Sequence, residues 1–302
     1  MSQSVNIAGP NVNINTKKNV ILSPGKLIWR RFRRNKIAMI SLIILIVMII
    51  LTILAPVLAT HGRDTISLGL KENPPSADNW LGTDALGRDV YTRLLYGGRI
   101  SLSVGLVATA IQLVIGVIMG SIAGYYGRFV DTVIMRLTDM VLSFPFLALA
   151  IVMAAILGPS IYNTMLIIGL LSWTSTCRII RGQFLSIKQT EYIEAAHALG
   201  LSELRIIRRH MLPNAMAPLL INATLGMASA ILIEAGLSFL GLGVQLPTPS
   251  WGNMLEAARN MRYIMHAWWL WLPPGLCIFL AVLSINLIGD GLRDAFDPRL
   301  KQ

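Results

Sequence analysis

Long apolar runs separated by short charged segments dominate the chain. The first run extends from Ile37 to Ala59 without a charge, and a helix needs about 20 apolar residues to cross a bilayer. A signal peptide has a shorter apolar core of about 7–15 residues near the start of the chain, so this run predicts a lasting membrane anchor. Further runs lie near residues 100–125, 133–158, 161–180, 215–241 and 268–289. The pattern predicts an all-α integral membrane protein with six transmembrane helices.

Composition and charge support this interpretation. Hydrophobic residues make up 54% of the chain and charged residues only 14%, whereas soluble domains carry about 25% charged residues. The net charge of +11 could indicate nucleic acid, but the basic residues flank the apolar runs, as they do in membrane proteins. If the N-terminus is inside, 19 of the 26 Lys and Arg residues lie on the cytoplasmic side. We therefore expect both termini in the cytoplasm, the lipid bilayer as the surroundings, and no nucleic-acid partner.

The same pattern divides the chain into segments. We expect a polar, disordered start followed by an interfacial helix (KLIWRRFRRNK), and we expect Cys177 and Cys277, which lie in apolar runs, to be unpaired. The predicted segments are a cytoplasmic tail (1–36), a first transmembrane helix (37–59), an extracytoplasmic segment (60–99), a core (100–290) with a loop (181–214), and a cytoplasmic tail (291–302).

The loop 181–214 contains the stretch EYIEAAHALGLSELRIIRRHMLPN. Glu191 and Glu194 fall in the first turn of a predicted helix, where carboxylates suit the positive end of the helix dipole. Gly200 is expected to adopt the left-handed conformation that ends a helix, and Pro213 to stop a second helix. The loop thus predicts an ordered helix–turn–helix elbow outside the membrane.

Six residues of this stretch have a recognisable spacing: Glu194, Ala195, Ala196, Gly200, Leu212 and Pro213. They resemble the EAA loop of ABC importer permeases, although His210 stands where the general pattern has isoleucine; the peptide branch often has histidine there. The resemblance implies a type I ABC importer permease fold, in which residues 191–213 dock on a cytoplasmic ATPase and the small Ala195 and Ala196 allow its close approach. An ordinary pair of amphipathic interfacial helices is the alternative.

Three other stretches extend the resemblance: WLGTDALGRDVYTRLLYGGRISLSVG (80–105), SFLGLGVQLPTPSWGNML (238–255) and NLIGDGLRDAFDPRLKQ (286–302). They are similar to the C-type subunits of dipeptide, oligopeptide and nickel permeases, above all to the dipeptide branch. The resemblance implies uptake of di- or oligopeptides across a bacterial inner membrane. It also implies a homologous B-type permease, two cytoplasmic ABC ATPases that bind ATP and Mg, and an extracytoplasmic substrate-binding protein.

The chain itself has no phosphate-binding G-x-x-x-x-G-K-[ST] motif, so we expect no enzymatic activity and no cofactor in this subunit. Its four histidines do not cluster, and no metal site is expected. Nickel is the alternative to di- or oligopeptides as the transported cargo. A secondary transporter is the alternative of another class, and it would use several buried ionisable groups.

Glu234 is the only acidic residue deep within an apolar run. It is a candidate for the translocation path or a gate; a protonated hydrogen-bond donor or a pair with a partner subunit are the alternatives. Pro145 is expected to kink the third span and to shape either the path or the packing. Arg136 and Asp139 lie three residues apart and are expected to pair along one helix face.

The predicted outer segments supply the last candidates. Asp84, Arg88 and Asp89 are expected to form caps and ion pairs in a tight turn, either as an external gate or receptor contact or only as loop architecture. Trp251, in the stretch PTPSWG, carries the same two interpretations. Together with Trp268, Trp269 and Trp271 it is expected in an aromatic belt at the membrane–water boundary rather than in a binding box.

Overall fold

The structure, a computed structural model, describes residues 24–296. The polar N-terminal stretch predicted to be disordered and the end of the predicted C-terminal tail lie outside these residues. Within 24–296 the regular elements are helical, and one isolated β-bridge joins Thr83 to Asp89.

The α-helices are α1 (Pro24–Arg34), α2 (Lys36–Ile53), α3 (Ala55–Leu58), α4 (Val90–Tyr126), α5 (Arg128–Leu142), α6 (Phe146–Leu157), α7 (Ile161–Lys188), α8 (Glu191–Ala198), α9 (Glu203–Ile206), α10 (Leu212–Asn214), α11 (Met216–Phe239), α12 (Trp251–Met254), α13 (Met261–His266) and α14 (Trp268–Phe296). A π-helical turn (Ile207–Met211) joins α9 to α10, and 3₁₀ turns cover Leu68–Leu70 and Leu255–Arg259.

Four of these helices, α2, α4, α11 and α14, are long and apolar enough to cross a membrane. A fifth crossing is possible if α5 and α6 together form one broken span. Helix α7 coincides with the predicted fourth span but carries three basic residues near its end. The count of six spans therefore stays a prediction, whereas the all-α membrane architecture is confirmed.

The third predicted span is broken rather than kinked. Helices α5 and α6 meet at an angle of 84°, and Pro145 lies between them with an extended backbone as the residue that precedes α6. Proline disfavours the helical conformation of the residue before it and has no N–H to donate to the preceding turn. The prediction of a kinked continuous helix is wrong in this respect.

Helices α4 and α7 pack with their backbones close together. A Cβ atom added to Gly120 would lie 2.6 Å from the carbonyl oxygen of Cys177 and 2.9 Å from the Cβ of Ile180. Gly116 and Gly124, one turn to either side, meet α7 equally closely. Small residues at four-residue spacing allow helices to approach in this way, so the stripe sets the distance between α4 and α7.

Helix α4 connects the two ends of the bundle. With 37 residues it is about 55 Å long at 1.5 Å per residue. Its first turns contact the segments 60–89 and 240–267, which we call the cap; Trp251 Nε1, for example, donates to the carbonyl of Leu94. Its last residue, Tyr126, contacts residues 190–214, which we call the elbow. The cap and the elbow therefore lie at opposite ends of one continuous helix.

Candidate functional site: the elbow, the cap and a buried carboxyl group

The elbow is an ordered pair of short helices. Gly200 has φ +72°, the N–H of Leu201 donates to the carbonyl of Ala196, and the N–H of Gly200 donates to that of His197. These two bonds are the Schellman motif that ends a helix at a left-handed glycine. The prediction for Gly200 is confirmed. Thr190 precedes α8, but its hydroxyl donates back to the carbonyl of Ile187 and does not cap the helix.

The second helical run of the elbow continues past its proline. It passes from α9 through the π-helical turn into α10, and it ends at Asn214, one residue after Pro213. Proline fits the first turn of a helical segment because its missing N–H has no partner to lose there. The expectation that Pro213 itself stops the helix is therefore wrong by one residue. Such π-helical turns often occur at functional sites.

The inner face of the elbow packs on the ends of α4, α7 and α11. Ile193, Ala196, Ile206 and Met211 are buried in a cluster with Phe184 and its neighbours. Ala196 thus contacts this bundle, whereas its neighbour Ala195 is exposed. Leu212 packs partly against the same cluster.

The outer face of the elbow is exposed and of mixed character. Glu191, Glu194 and Ala195 of α8 are exposed on it, and so is Pro213. Exposed apolar side chains adjoin them, above all Leu199, which is 80% exposed. Exposed apolar groups beside charges are typical of a protein contact surface.

The sequence pattern did not single out the apolar part of this face: Tyr192, Leu199 and Leu204. A helical-wheel projection of α8 would not have found Tyr192, because Tyr192 and the buried Ala196 are four residues apart and fall on the same side of the helix. A side-chain hydrogen bond joins the elbow to α4: the hydroxyl of Tyr126 donates to Glu203 over 3.0 Å.

The cap is held by the acidic residues that the sequence singled out. Asp89 caps α4 by accepting from the N–H of Thr92 at 2.8 Å, and it accepts from Asn79 Nδ2 at the same distance. Asp84 accepts from two backbone N–H groups of the turn and pairs with Arg88 at 2.7 Å. The predicted caps and ion pairs are present. Arg88 and Asp89 are buried, so their side chains are engaged within the cap.

A second set of contacts closes the cap from the other side. The hydroxyl of Tyr263 donates to Glu72 over 2.7 Å, and Arg262 pairs with the same carboxylate. This hydrogen bond to a carboxylate raises the pKa of Tyr263 above its ordinary value. A cavity of about 270 Å³ lies between the two parts of the cap, with Arg93 and Asp84 among its lining residues.

Two of the four tryptophans predicted to form an aromatic belt lie inside the protein. Trp251 is 1% exposed, packs against Gly98, and donates from its indole to the carbonyl of Leu94. Trp269 is also buried and donates to the carbonyl of Thr83. The prediction of an aromatic belt is wrong for both, because their rings are packed between the cap and the helices. Trp268 is exposed.

Glu234 is enclosed where α4, α11 and the cap meet. Its side chain is 0% exposed; Oε2 accepts from Ser101 Oγ at 2.9 Å and Oε1 accepts from Ser238 Oγ at 2.7 Å. Each of these serines also accepts a backbone N–H of the cap, from Trp251 and Val244 respectively. The carboxyl group thus lies at the centre of a network that joins two helices to the cap.

Asp139 pairs with a different partner from the one predicted. Its carboxylate lies 2.6 Å from Arg178 of α7, and Arg136 is not its ion-pair partner. A second pair, Asp131 with Arg181, joins the same two helices through two hydrogen bonds. Pairing across helices replaces the predicted pairing along one face, because α5 lies against α7.

Residues 116–302 match the family described as binding-protein-dependent transport system inner membrane component. Residues 23–75 match the N-terminal transmembrane domain of oligopeptide transport permease C. The chain belongs to the binding-protein-dependent permease family. The secondary transporter is thereby set aside, and the family is one of membrane components of ABC importers.

Relatives cover nearly the whole permease. It is 44% identical over 280 residues to the dipeptide transport system permease protein DppC of Alkalihalophilus pseudofirmus, covering 93% of this chain and 91% of that one. It is 40% identical to DppC of Bacillus subtilis over 91% and 85% of the two chains. A putative peptide permease protein of Brucella suis is 42% identical over 89% of each chain.

A solved structure shows the same fold. A chain of the MetNI methionine ABC transporter in an inward-facing conformation matches 68% of this permease and 97% of its own length, with a TM-score of 0.54 and 19% identity. At this identity the match concerns the fold alone. The predicted ABC importer permease fold is confirmed.

Proposed function

We propose that this permease is the C-type membrane subunit of an ABC importer that carries di- or oligopeptides into the cytoplasm of a bacterium. Support comes from relatives named for dipeptide and peptide transport that align over about nine-tenths of the chain. A B-type permease would complete the path, two ATPases would bind ATP and Mg, and a binding protein would deliver the peptide.

The exposed outer face of the elbow carries this proposal. Glu191, Glu194 and Ala195 stand beside apolar side chains on a surface whose inner side is fixed to the bundle. Because Ile193 and Met211 are fully buried, a force applied to the outer face passes directly to the ends of α7 and α11. An ATPase that binds this face could therefore move the bundle as it closes.

The cap would be the end that receives the binding protein. Asp84, Arg88 and Asp89 hold its shape from within, so we propose that they position the docking surface rather than touch the peptide. Glu234 and Trp251 would anchor the cap to α4 and α11 in the same way. Pro145 would set the angle at which α6 leaves α5.

The decisive experiment is uptake by the purified complex in proteoliposomes, with labelled dipeptide and nickel as competing cargoes. We expect ATP-dependent uptake of dipeptide and none of nickel. Glu194→Lys should uncouple the complex: the ATPases dissociate, or hydrolyse ATP without transport, because a cation replaces the carboxylate at the start of α8. Glu194→Gln removes the charge without adding a cation and should reduce coupled uptake less than Glu194→Lys does. Wild-type uptake by Glu194→Lys would refute coupling through the elbow.

Orientation has its own test. A cysteine at Ser202 of the elbow should react only from the cytoplasmic side, and one at Ser76 of the cap only from outside. Both side chains are exposed in the structure. Reaction of Ser202→Cys from outside would contradict the proposed orientation.

A further inference from the structure

Helix α5 has two different exposed faces side by side. One is apolar and consists of Phe129, Val133, Leu137 and Met140. The other is polar and consists of Thr132, Arg136, Asp139 and Ser143. Both sets follow three- and four-residue spacings, so each forms a stripe along the helix. The third side of α5, with Ile134 and Thr138, is buried against the bundle.

The polar stripe of α5 continues onto α7. Asp139 and Arg178 form an ion pair of 2.6 Å, and their side chains remain 53% and 49% exposed. Ser175, one turn before Arg178, is also exposed. Arg136 makes no ion pair or hydrogen bond with any residue between 24 and 296. The surface formed by these residues, which we call the α5–α7 polar surface, carries one unpaired positive charge.

A lipid-facing position does not suit this surface. Asp139 and Arg178 lie within the predicted third and fourth spans, 133–158 and 161–180, towards the elbow end. Charged side chains within membrane spans face a protein interior or a water-filled cavity, because contact with hydrocarbon is costly. The adjoining apolar stripe is suited to lipid. The two stripes therefore divide α5 into a side for lipid and a side for water.

We propose that the α5–α7 polar surface lines the elbow-side mouth of the water-filled path through which the cargo leaves. This inference rests on the proposed function. A peptide with free ends carries an ammonium group and a carboxylate. Asp139 can attract the first, while Arg136 and Arg178 can attract the second. The unpaired charge of Arg136 favours anions in the mouth, because a cleft with a net charge raises the local concentration of its counter-ions.

The test compares thiol labelling on the two stripes in the assembled complex. In a background with Cys177→Ala and Cys277→Ala, single cysteines replace Ser143 or Met140, which lie on the polar and apolar stripes of the same helix. A charged, membrane-impermeant thiosulfonate is applied from the elbow side. We expect Ser143→Cys to react at least about tenfold faster than Met140→Cys, because the thiolate, which forms in water, attacks the thiosulfonate and releases sulfinate.

A second arm examines charge. The cysteine of Ser143→Cys should react faster with the anionic sulfonatoethyl thiosulfonate than with the cationic trimethylammonium one. Arg136→Gln should reduce this ratio of labelling rates severalfold. Arg33→Gln, a change of the same kind in α1, should leave the ratio unchanged.

Slow labelling of both cysteines would overturn the proposal, because the stripe would then be covered by the second permease chain. Equal, fast labelling would also overturn it. Peptide uptake is measured on the same complexes. If uptake fails while the labelling pattern appears, the proposed cargo is wrong but the water-filled mouth is retained.

Discussion

Replacing Glu234 by alanine should loosen the cap from the helices. The side chain is fully buried, and its two oxygens accept from Ser101 Oγ at 2.9 Å and Ser238 Oγ at 2.7 Å. Glu234→Ala leaves two buried hydroxyls without their acceptor. Each buried group that loses its partner costs about 1–3 kcal/mol, which gives roughly 2–6 kcal/mol for the two. Because serine hydroxyls in helices can turn to a carbonyl one turn earlier, we expect a value near the lower end, about 2–3 kcal/mol.

Glu234→Gln should cost less. The amide keeps the shape and can still accept from one serine, while its NH₂ group donates to the other. One serine proton then needs a new acceptor, so we expect about 1 kcal/mol. The exposed serine of the same helix, Ser229, provides the control; Ser229→Ala should change stability by less than about 0.5 kcal/mol.

The measurement is thermal unfolding of the purified complex, together with labelling of a cysteine placed at Thr248 in the cap. Glu234→Ala should lower Tm by several degrees, at roughly 2–4 °C per kcal/mol, and should speed labelling of the cap. A double-mutant cycle with Ser101→Ala should show coupling of about 0.5–3 kcal/mol. An unchanged Tm with unchanged labelling would refute the idea that Glu234 holds the cap to α4 and α11. Loss of transport in Glu234→Gln at full stability would place the carboxyl group in the path instead.

Three further substitutions test the packing and the turns. Gly120→Ala should lower Tm, because its Cβ would meet α7 backbone at 2.6 Å; Gly236→Ala, with nothing within 4 Å of its Cβ, should not. Gly200→Ala should cost about 1 kcal/mol or more, because φ there is +72°, and should reduce co-purification of the ATPases, whereas Gly182→Ala should be neutral. Asp89→Ala should cost about 0.5–2 kcal/mol as a lost helix cap, seen as a lower Tm and faster proteolysis of the cap.

The sequence pattern predicted what depends on neighbours along the chain. Apolar runs placed α2, α4, α11 and α14, and the glycine of the elbow predicted the turn after α8, since a left-handed residue depends on the local backbone. It failed where partners are distant in the sequence. The pairing of Asp139 with Arg178 depends on how α5 lies against α7, and the burial of Trp251 depends on the cap folding back onto α4.

Proline shows the same limit at short range. The sequence correctly marked Pro145 as a point of distortion, but a proline specifies only that the preceding turn loses a hydrogen bond and that its neighbour avoids the helical conformation. Whether a span then bends or breaks is decided by packing. Here α6 packs with Ala150 and Ala154 against α7 and Leu237 of α11, and these contacts hold it at 84° to α5.

The break between α5 and α6 explains how the bundle combines a close connection, between α4 and α7, with an open face on α5. Gly116, Gly120 and Gly124 of α4 pack closely against α7, and α4 runs without a break from the cap to the elbow. Helix α5 does not continue past residue 142 in the same direction, and its outer side stays uncovered within residues 24–296 from Phe129 to Ser143. A movement of the elbow that shifts α7 therefore carries α5 with it through the ion pairs to Arg178 and Arg181. In this arrangement the movement of α7 and α5 that the ATPases drive would change the width of the mouth lined by the α5–α7 polar surface. Breaking both ion pairs should therefore slow peptide release, while ATP hydrolysis stays intact.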